Sequence, residues 1–193
     1  MRTLLVFALM LVSSAALAQS SMRLRGTITA VNGDVMSVKA RDGRDLQVNL
    51  TPDVQVVTTK KTTAEEFKPG SYVGVTSVKD ESGRLVARRV HALGPQVPSG
   101  HMAWDSIPDS LMTNANMAST AQVSGGSELT MKYKDGEQKI LVTPQTEYFT
   151  FVAGSRADLR PGETVFTGAR VADDGKITAQ RVTVSKDGVN PPQ

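Results

Sequence analysis

The sequence predicts an all-β protein made of two small barrel modules in tandem, and three observations carry that prediction. Landmarks recur in the same order at an offset of 92 or 93 residues, the signature of an internal duplication. Within each copy apolar residues alternate with polar ones, the period of a half-buried strand rather than of a helix. Turn dipeptides fall between the alternating runs.

The first module spans residues 19–93 and the second residues 117–185, joined by a connector at 94–116. Val38-Lys39-Ala40-Arg41-Asp42-Gly43 in the first copy matches Met131-Lys132-Tyr133-Lys134-Asp135-Gly136 in the second. Thr51-Pro52 matches Thr143-Pro144, and Phe67-Lys68-Pro69-Gly70 matches Leu159-Arg160-Pro161-Gly162. Strands are read at Met36, Val38, Ala40 and at Leu46, Val48, Leu50, then again at Leu129, Met131, Tyr133 and at Ile140, Val142. Asn32-Gly33, Asp42-Gly43 and Asp135-Gly136 tolerate the positive φ of tight hairpins.

Thr63 to Phe67 and Ser155 to Leu159 each start on a hydroxyl residue and carry an acid, so one helical turn is expected before the proline that ends it. Five or six short strands with a helical turn after the third fit a small barrel of the OB type, which also removes exposed sheet edges. Pro95, Pro98, Gly100 and Pro108 argue against a regular strand in the connector, while His101, Trp104, Leu111 and Met112 make it too apolar for a free linker. The reading is an ordered wedge between the modules, with Trp104 buried in it. Residues 186–193, with Asp187-Gly188 and Pro191-Pro192, read as a flexible tail.

Met1 to Ala18 reads as a signal peptide: Arg2, the apolar run Leu4 to Val12, then Ala16-Leu17-Ala18 before a cleavage point. The run is shorter than the roughly 20 residues that span a bilayer. A mature protein without a transmembrane segment, periplasmic or secreted, is therefore expected. The chain has no cysteine, which excludes disulfides, a thiol nucleophile and thiolate metal sites. Lys and Arg outnumber Asp and Glu by 22 to 19, and the excess lies in the first copy.

With the paired copies and the connector in view, the chain resembles an uncharacterised family of exported bacterial proteins known as a domain of unknown function, DUF5666. The resemblance rests on Gly26-Thr27-Ile28 with Val31 and Gly33, on Lys68-Pro69-Gly70, on Gly83, Ala87 and Val90, and on His101, Trp104-Asp105 and Met112-Thr113-Asn114-Ala115. It implies an OB-like fold and no established activity. Some relatives carry a metal transporter permease label, which requires membrane spans that this sequence lacks.

Motifs for acyl transfer, phosphate cradling, dinucleotide binding and zinc hydrolysis are missing, and His91 and His101 are the only histidines. The expectation is a non-catalytic periplasmic binding or interaction protein without a cofactor. Trp104, Asp105, Arg23, Arg25, Arg88 and Arg89 are its candidate ligand-binding residues. The arginines sit on the first and last strands of copy one, which neighbour each other in many small barrels and would then share a basic face. Such a face suits an envelope protein or an anionic glycan, whereas the scarcity of aromatics on these strands disfavours nucleic acid. The alternative is a soft-metal carrier that holds a Cu or Ag ion through His101, Met102, Met112 and Met117, since imidazole and thioether ligands select those ions.

Overall fold

The computed structural model describes residues 20–191, so the signal segment lies outside the described residues. Twelve strands occur among them: β1 (Ser20–Asn32), β2 (Val35–Ala40), β3 (Asp45–Lys61), β4 (Tyr72–Lys79), β5 (Leu85–Ala92), β6 (Gly100–Ala103), β7 (Leu111–Val123), β8 (Gly126–Tyr133), β9 (Gly136–Val142), β10 (Glu147–Ala153), β11 (Thr164–Val171) and β12 (Ile177–Val184). The protein is all-β, as the alternation predicts. The expected helical turns are single 3₁₀ turns at Ala64–Glu66 and Arg156–Asp158, and Ser155 with Asp158 closes a capping box on the second.

The strand pairings form two five-stranded rings. In the first, β1 pairs with β2, β2 with β3, β3 in parallel with β12, β12 with β11, and β11 returns to β1. In the second, β7 pairs with β8, β8 with β9, β9 in parallel with β5, β5 with β4, and β4 returns to β7. Its parallel closure rests on two residue pairs, Leu85 with Ile140 and Val86 with Leu141. Both are small Greek-key barrels of the OB type.

The barrels do not coincide with the sequence repeats. Each takes its first three strands from one copy and its last two from the other, so the spans 19–93 and 117–185 are repeats but not folding units. The apolar cores obey the same division. One contains Leu24, Met36 and Val48 together with Val165, Ala179 and Val182; the other contains Val73, Val75 and Val90 together with Met117, Met131 and Ile140. β3 continues through Thr51-Pro52 for 17 residues, with its pairing to β12 interrupted there between Leu50 and Gln55. In copy two β9 and β10 make the same passage across Thr143-Pro144, so the two copies exchange equivalent elements within one polypeptide.

Two further expectations are corrected. The connector is not strand-free: β6 pairs with the start of β7, Gly100 opposite Asn114 through Ala103 opposite Leu111, so the first strand that copy two gives to the second barrel begins at residue 111 rather than 117. The prolines flank this short strand and spare its ladder. Residues 186–191 are not free either. Lys186 and Val189 bridge around Asp187-Gly188, Thr59 Oγ1 donates to the Val189 carbonyl, and Arg89 Nη1 donates to the Pro191 carbonyl at 3.0 Å. At the hairpins, Gly33 and Gly43 take positive φ as expected, whereas Gly136 does not, because the β8–β9 loop is Lys134-Asp135 with Gly136 already in the strand.

Candidate functional site at the junction of the barrels

Leu24 points into the first barrel, so Arg23 and Arg25 on either side of it occupy the outer face of β1. That face meets the connector carried by the second barrel. The loop from Trp104 to Ser110 is pinned by Ser110, whose carbonyl accepts from the Trp104 amide at 2.8 Å and whose hydroxyl donates to the Trp104 carbonyl at 3.0 Å. Held this way, the loop presents Trp104 and Asp105 to β1.

The guanidinium carbons of Arg23 and Arg25 lie 4.9 and 5.2 Å from the Trp104 ring centre. Arg25 also covers Phe166, its partner across β1 and β11, at 4.9 Å, and donates from Nη1 to Asp105 Oδ2 at 2.7 Å. Arg41 adds two bonds to the backbone carbonyls of Asp105 and Ser106. The stacking contributes roughly 0.5 to 2 kcal/mol per arginine, more where water is excluded. The ion pair adds less, since the Asp105 side chain is 61% exposed.

Arg25 itself is 6% exposed, and its Nε and Nη2 have no hydrogen-bond partner. Each such buried donor costs about 1 to 3 kcal/mol. Burial lowers the Arg25 pKa, against the charge and hydrogen bond of Asp105, yet a guanidinium stays protonated.

Behind Trp104 lies a cleft of about 340 Å³ lined by both barrels, among others by His91, Met112, Phe151, Phe166 and Thr183. Its walls follow from the duplication. In the second barrel Gly74 of β4 lies between His91 and Asn114; at the repeat-equivalent place in the first, Phe166 of β11 lies between Thr183 and Arg25. One copy has a bare glycine under a large ring, the other a large ring beside a small threonine. A Cβ on Gly74 would stand 2.6 Å from the His91 ring, so glycine is what admits the imidazole.

His91 stacks on Phe149 at 5.0 Å and meets Phe151 edge-on at 5.7 Å. Complete burial, assisted by the charge of Arg89, pushes its pKa down to about 3, so the imidazole is neutral at physiological pH. Its Nδ1 and the Trp104 Nε1 are both buried without a partner.

Four of the sequence-derived ligand residues, Arg23, Arg25, Trp104 and Asp105, thus meet in one place. Arg88 and Arg89 do not join them. They sit on β5, which the strand exchange assigns to the other barrel, so no shared basic face forms; Arg89 instead pairs with Glu147 at 2.9 Å.

The proposed metal ligands also fail to converge. Met117 is 1% exposed inside the second barrel, where it packs in the apolar core. His101 bonds Thr113 at 2.8 Å and lies over Tyr133 at 6.4 Å, while Met102 sits opposite Met112 on the other face of the same ladder. Strand alternation separates imidazole from sulfur here, and among the described residues no cluster of three His, Cys, Asp or Glu has the spacing for a metal.

Residues 25–91 match the family model described as Domain of unknown function (DUF5666). This stretch is similar to that family. It runs from β1 to β5, so the matched stretch is one sequence repeat, which supplies strands to both barrels. No curated protein and no solved structure matches the chain. Among the described residues no helix is long and apolar enough to cross a membrane.

Sequence reading missed His91, Phe151, Phe166 and Arg41. A signal for two of these positions was present: they are places where two otherwise parallel copies diverge, Gly74 against Phe166 and His91 against Thr183.

Proposed function

We propose that this is an exported, non-catalytic binding protein whose ligand occupies the cleft between the two barrels. The observation that carries this reading is an aromatic cavity of about 340 Å³ at a junction of two modules, bordered by two buried nitrogens without partners, Trp104 Nε1 and His91 Nδ1. Small-molecule sites favour such places and range from about 300 to 1,000 Å³.

The lining defines the ligand class. Phe151, Phe166 and Met112 suit a flat apolar body, and the Trp104 N–H asks for a hydrogen-bond acceptor on it. Arg181 is the only charged residue in the lining, so nothing there acts as a carboxylate base. The neutral His91, with a pKa near 3, is poorly matched to proton transfer at pH 7. The signal-like start of the sequence supports export to the periplasm or beyond.

The test is titration of the mature chain with anilinonaphthalene sulfonate, a probe of the cleft's size. The expected result is one equivalent bound, with energy transfer from Trp104, the lone tryptophan. Val97→Phe, placed at the half-buried rim, fills the cleft and removes binding. Uptake by a folded Val97→Phe variant equal to that of the parent overturns the reading.

A further inference from the structure

A second concavity, of about 370 Å³, opens on the outer face of the first barrel, bounded by Arg23, Arg25, Arg41, Arg44, Asp42 and Asp105. Its lining shares no residue with that of the cleft, and it has four guanidinium groups against two carboxylates, one of which, Asp42, is paired with Arg44 at 2.6 Å.

At its floor the bond between Arg25 and Asp105 uses half of what the arginine offers. Nη1 donates to Asp105 Oδ2, whereas Nη2 and Nε remain unpartnered although Arg25 is 94% buried, the complement of its 6% exposure. A planar guanidinium binds a carboxylate best through two parallel N–H bonds. Asp105, tethered to the backbone of a loop pinned by Ser110, takes one. A free carboxylate in its place engages Nη1 and Nη2 together.

We propose that this concavity binds the carboxylate of an acidic saccharide, and that Asp105 is an internal stand-in which the ligand displaces from Arg25. The mixed lining selects a sugar acid over a plain polyanion. Arg23 and Arg25 receive the carboxylate and the released Asp105 accepts hydrogen bonds from sugar hydroxyls, whereas Asp42 is held by Arg44, whose Nη2 donates to it at 2.6 Å. Inorganic polyphosphate has no sugar hydroxyl to offer Asp105 and is repelled by it. Displacement also frees one of the ties on the loop that carries Trp104, so the lone tryptophan reports occupancy. This site is separate from the cleft and stands without it.

The experiment titrates the mature chain with digalacturonate and follows Trp104 fluorescence and heat, with neutral galactobiose and inorganic phosphate as parallel arms. Asp105→Asn removes the competing charge and keeps the shape, and it should tighten digalacturonate binding about tenfold, equivalent to about 1.4 kcal/mol. Arg41→Gln, on the exposed rim, should weaken it by a similar factor, and Val97→Phe should leave it unchanged. Equal binding of phosphate, unaltered affinity in Asp105→Asn, or no saturable signal with digalacturonate in any of these folded proteins would each overturn the proposal.

Discussion

Thr59 of β3 and Phe151 of β10 face each other at the centre of an antiparallel pairing, and they are repeat equivalents 92 residues apart. The pairs on either side, Val57 with Ala153 and Lys61 with Phe149, exchange under the same offset. A pseudo-two-fold axis therefore passes between Thr59 and Phe151, where the two copies cross from one barrel to the other.

Because both copies contribute to both barrels, neither barrel can unfold while the other stays intact. A single calorimetric transition is expected, with van't Hoff and calorimetric enthalpies equal. Two resolved transitions would show that the barrels are independent. A nick in the exposed connector near Pro95 should likewise leave two fragments that co-elute in native buffer and separate only in denaturant.

Gly74→Ala places a methyl group against the His91 ring and against Asn114, and overpacking of this kind costs about 1 to 3 kcal/mol. Adding His91→Thr, the residue that copy two has at this position, should recover much of the loss. Equal destabilisation of single and double variants, read from urea midpoints, would mean that the clash is relieved elsewhere.

Trp104→Ala is expected to lower stability by about 2 kcal/mol, below the roughly 3 to 5 kcal/mol of a fully buried aromatic, because the ring is half-buried and its main partners are Arg23 and Arg25. In a urea titration the Trp104 emission maximum should shift to the red at about the global midpoint rather than before it, because the bonds to Ser110 hold the loop.

Met117→Ala should cost about 2 to 5 kcal/mol, while Met117→Leu should cost less than about 1.5 kcal/mol. Neither change should alter the response to Ag(I) in native mass spectrometry. A silver ion lost with Met117→Leu would restore the soft-metal reading.

His91 has a folded pKa near 3, below the ordinary value of 6.5. Between these values the unfolded chain binds the proton that the folded chain refuses, so stability falls as pH drops from about 6.5 towards 3. The slope is on the order of 1 kcal/mol per pH unit. His101, lowered by burial and by Lys79, acts in the same direction. Denaturation midpoints from pH 7 to 4.5 should flatten in His91→Leu and change less in His101→Asn.

Much of the candidate site was legible from residue type alone, because Arg23, Arg25, Trp104 and Asp105 are unusual for the strands and loop that hold them. Arg88 and Arg89 were misplaced for one reason: strand neighbours were assigned within a repeat. His91 escaped notice because a lone histidine in an alternating strand looks like its neighbours until the residue beneath it is known to be Gly74.

Strand periodicity, hairpin turns, the duplication and the absence of thiol chemistry are local or countable properties, and the sequence alone determined them. Which last two strands complete which barrel was decided by tertiary structure. The equivalent core residues, Val73 and Val165, Ala87 and Ala179, Val90 and Val182, are identical and fully interchangeable in size. No local pattern therefore distinguishes the closed from the exchanged arrangement. Each copy passes its last two strands to the other barrel, and that exchange creates the junction at which Trp104, His91 and the arginines come together.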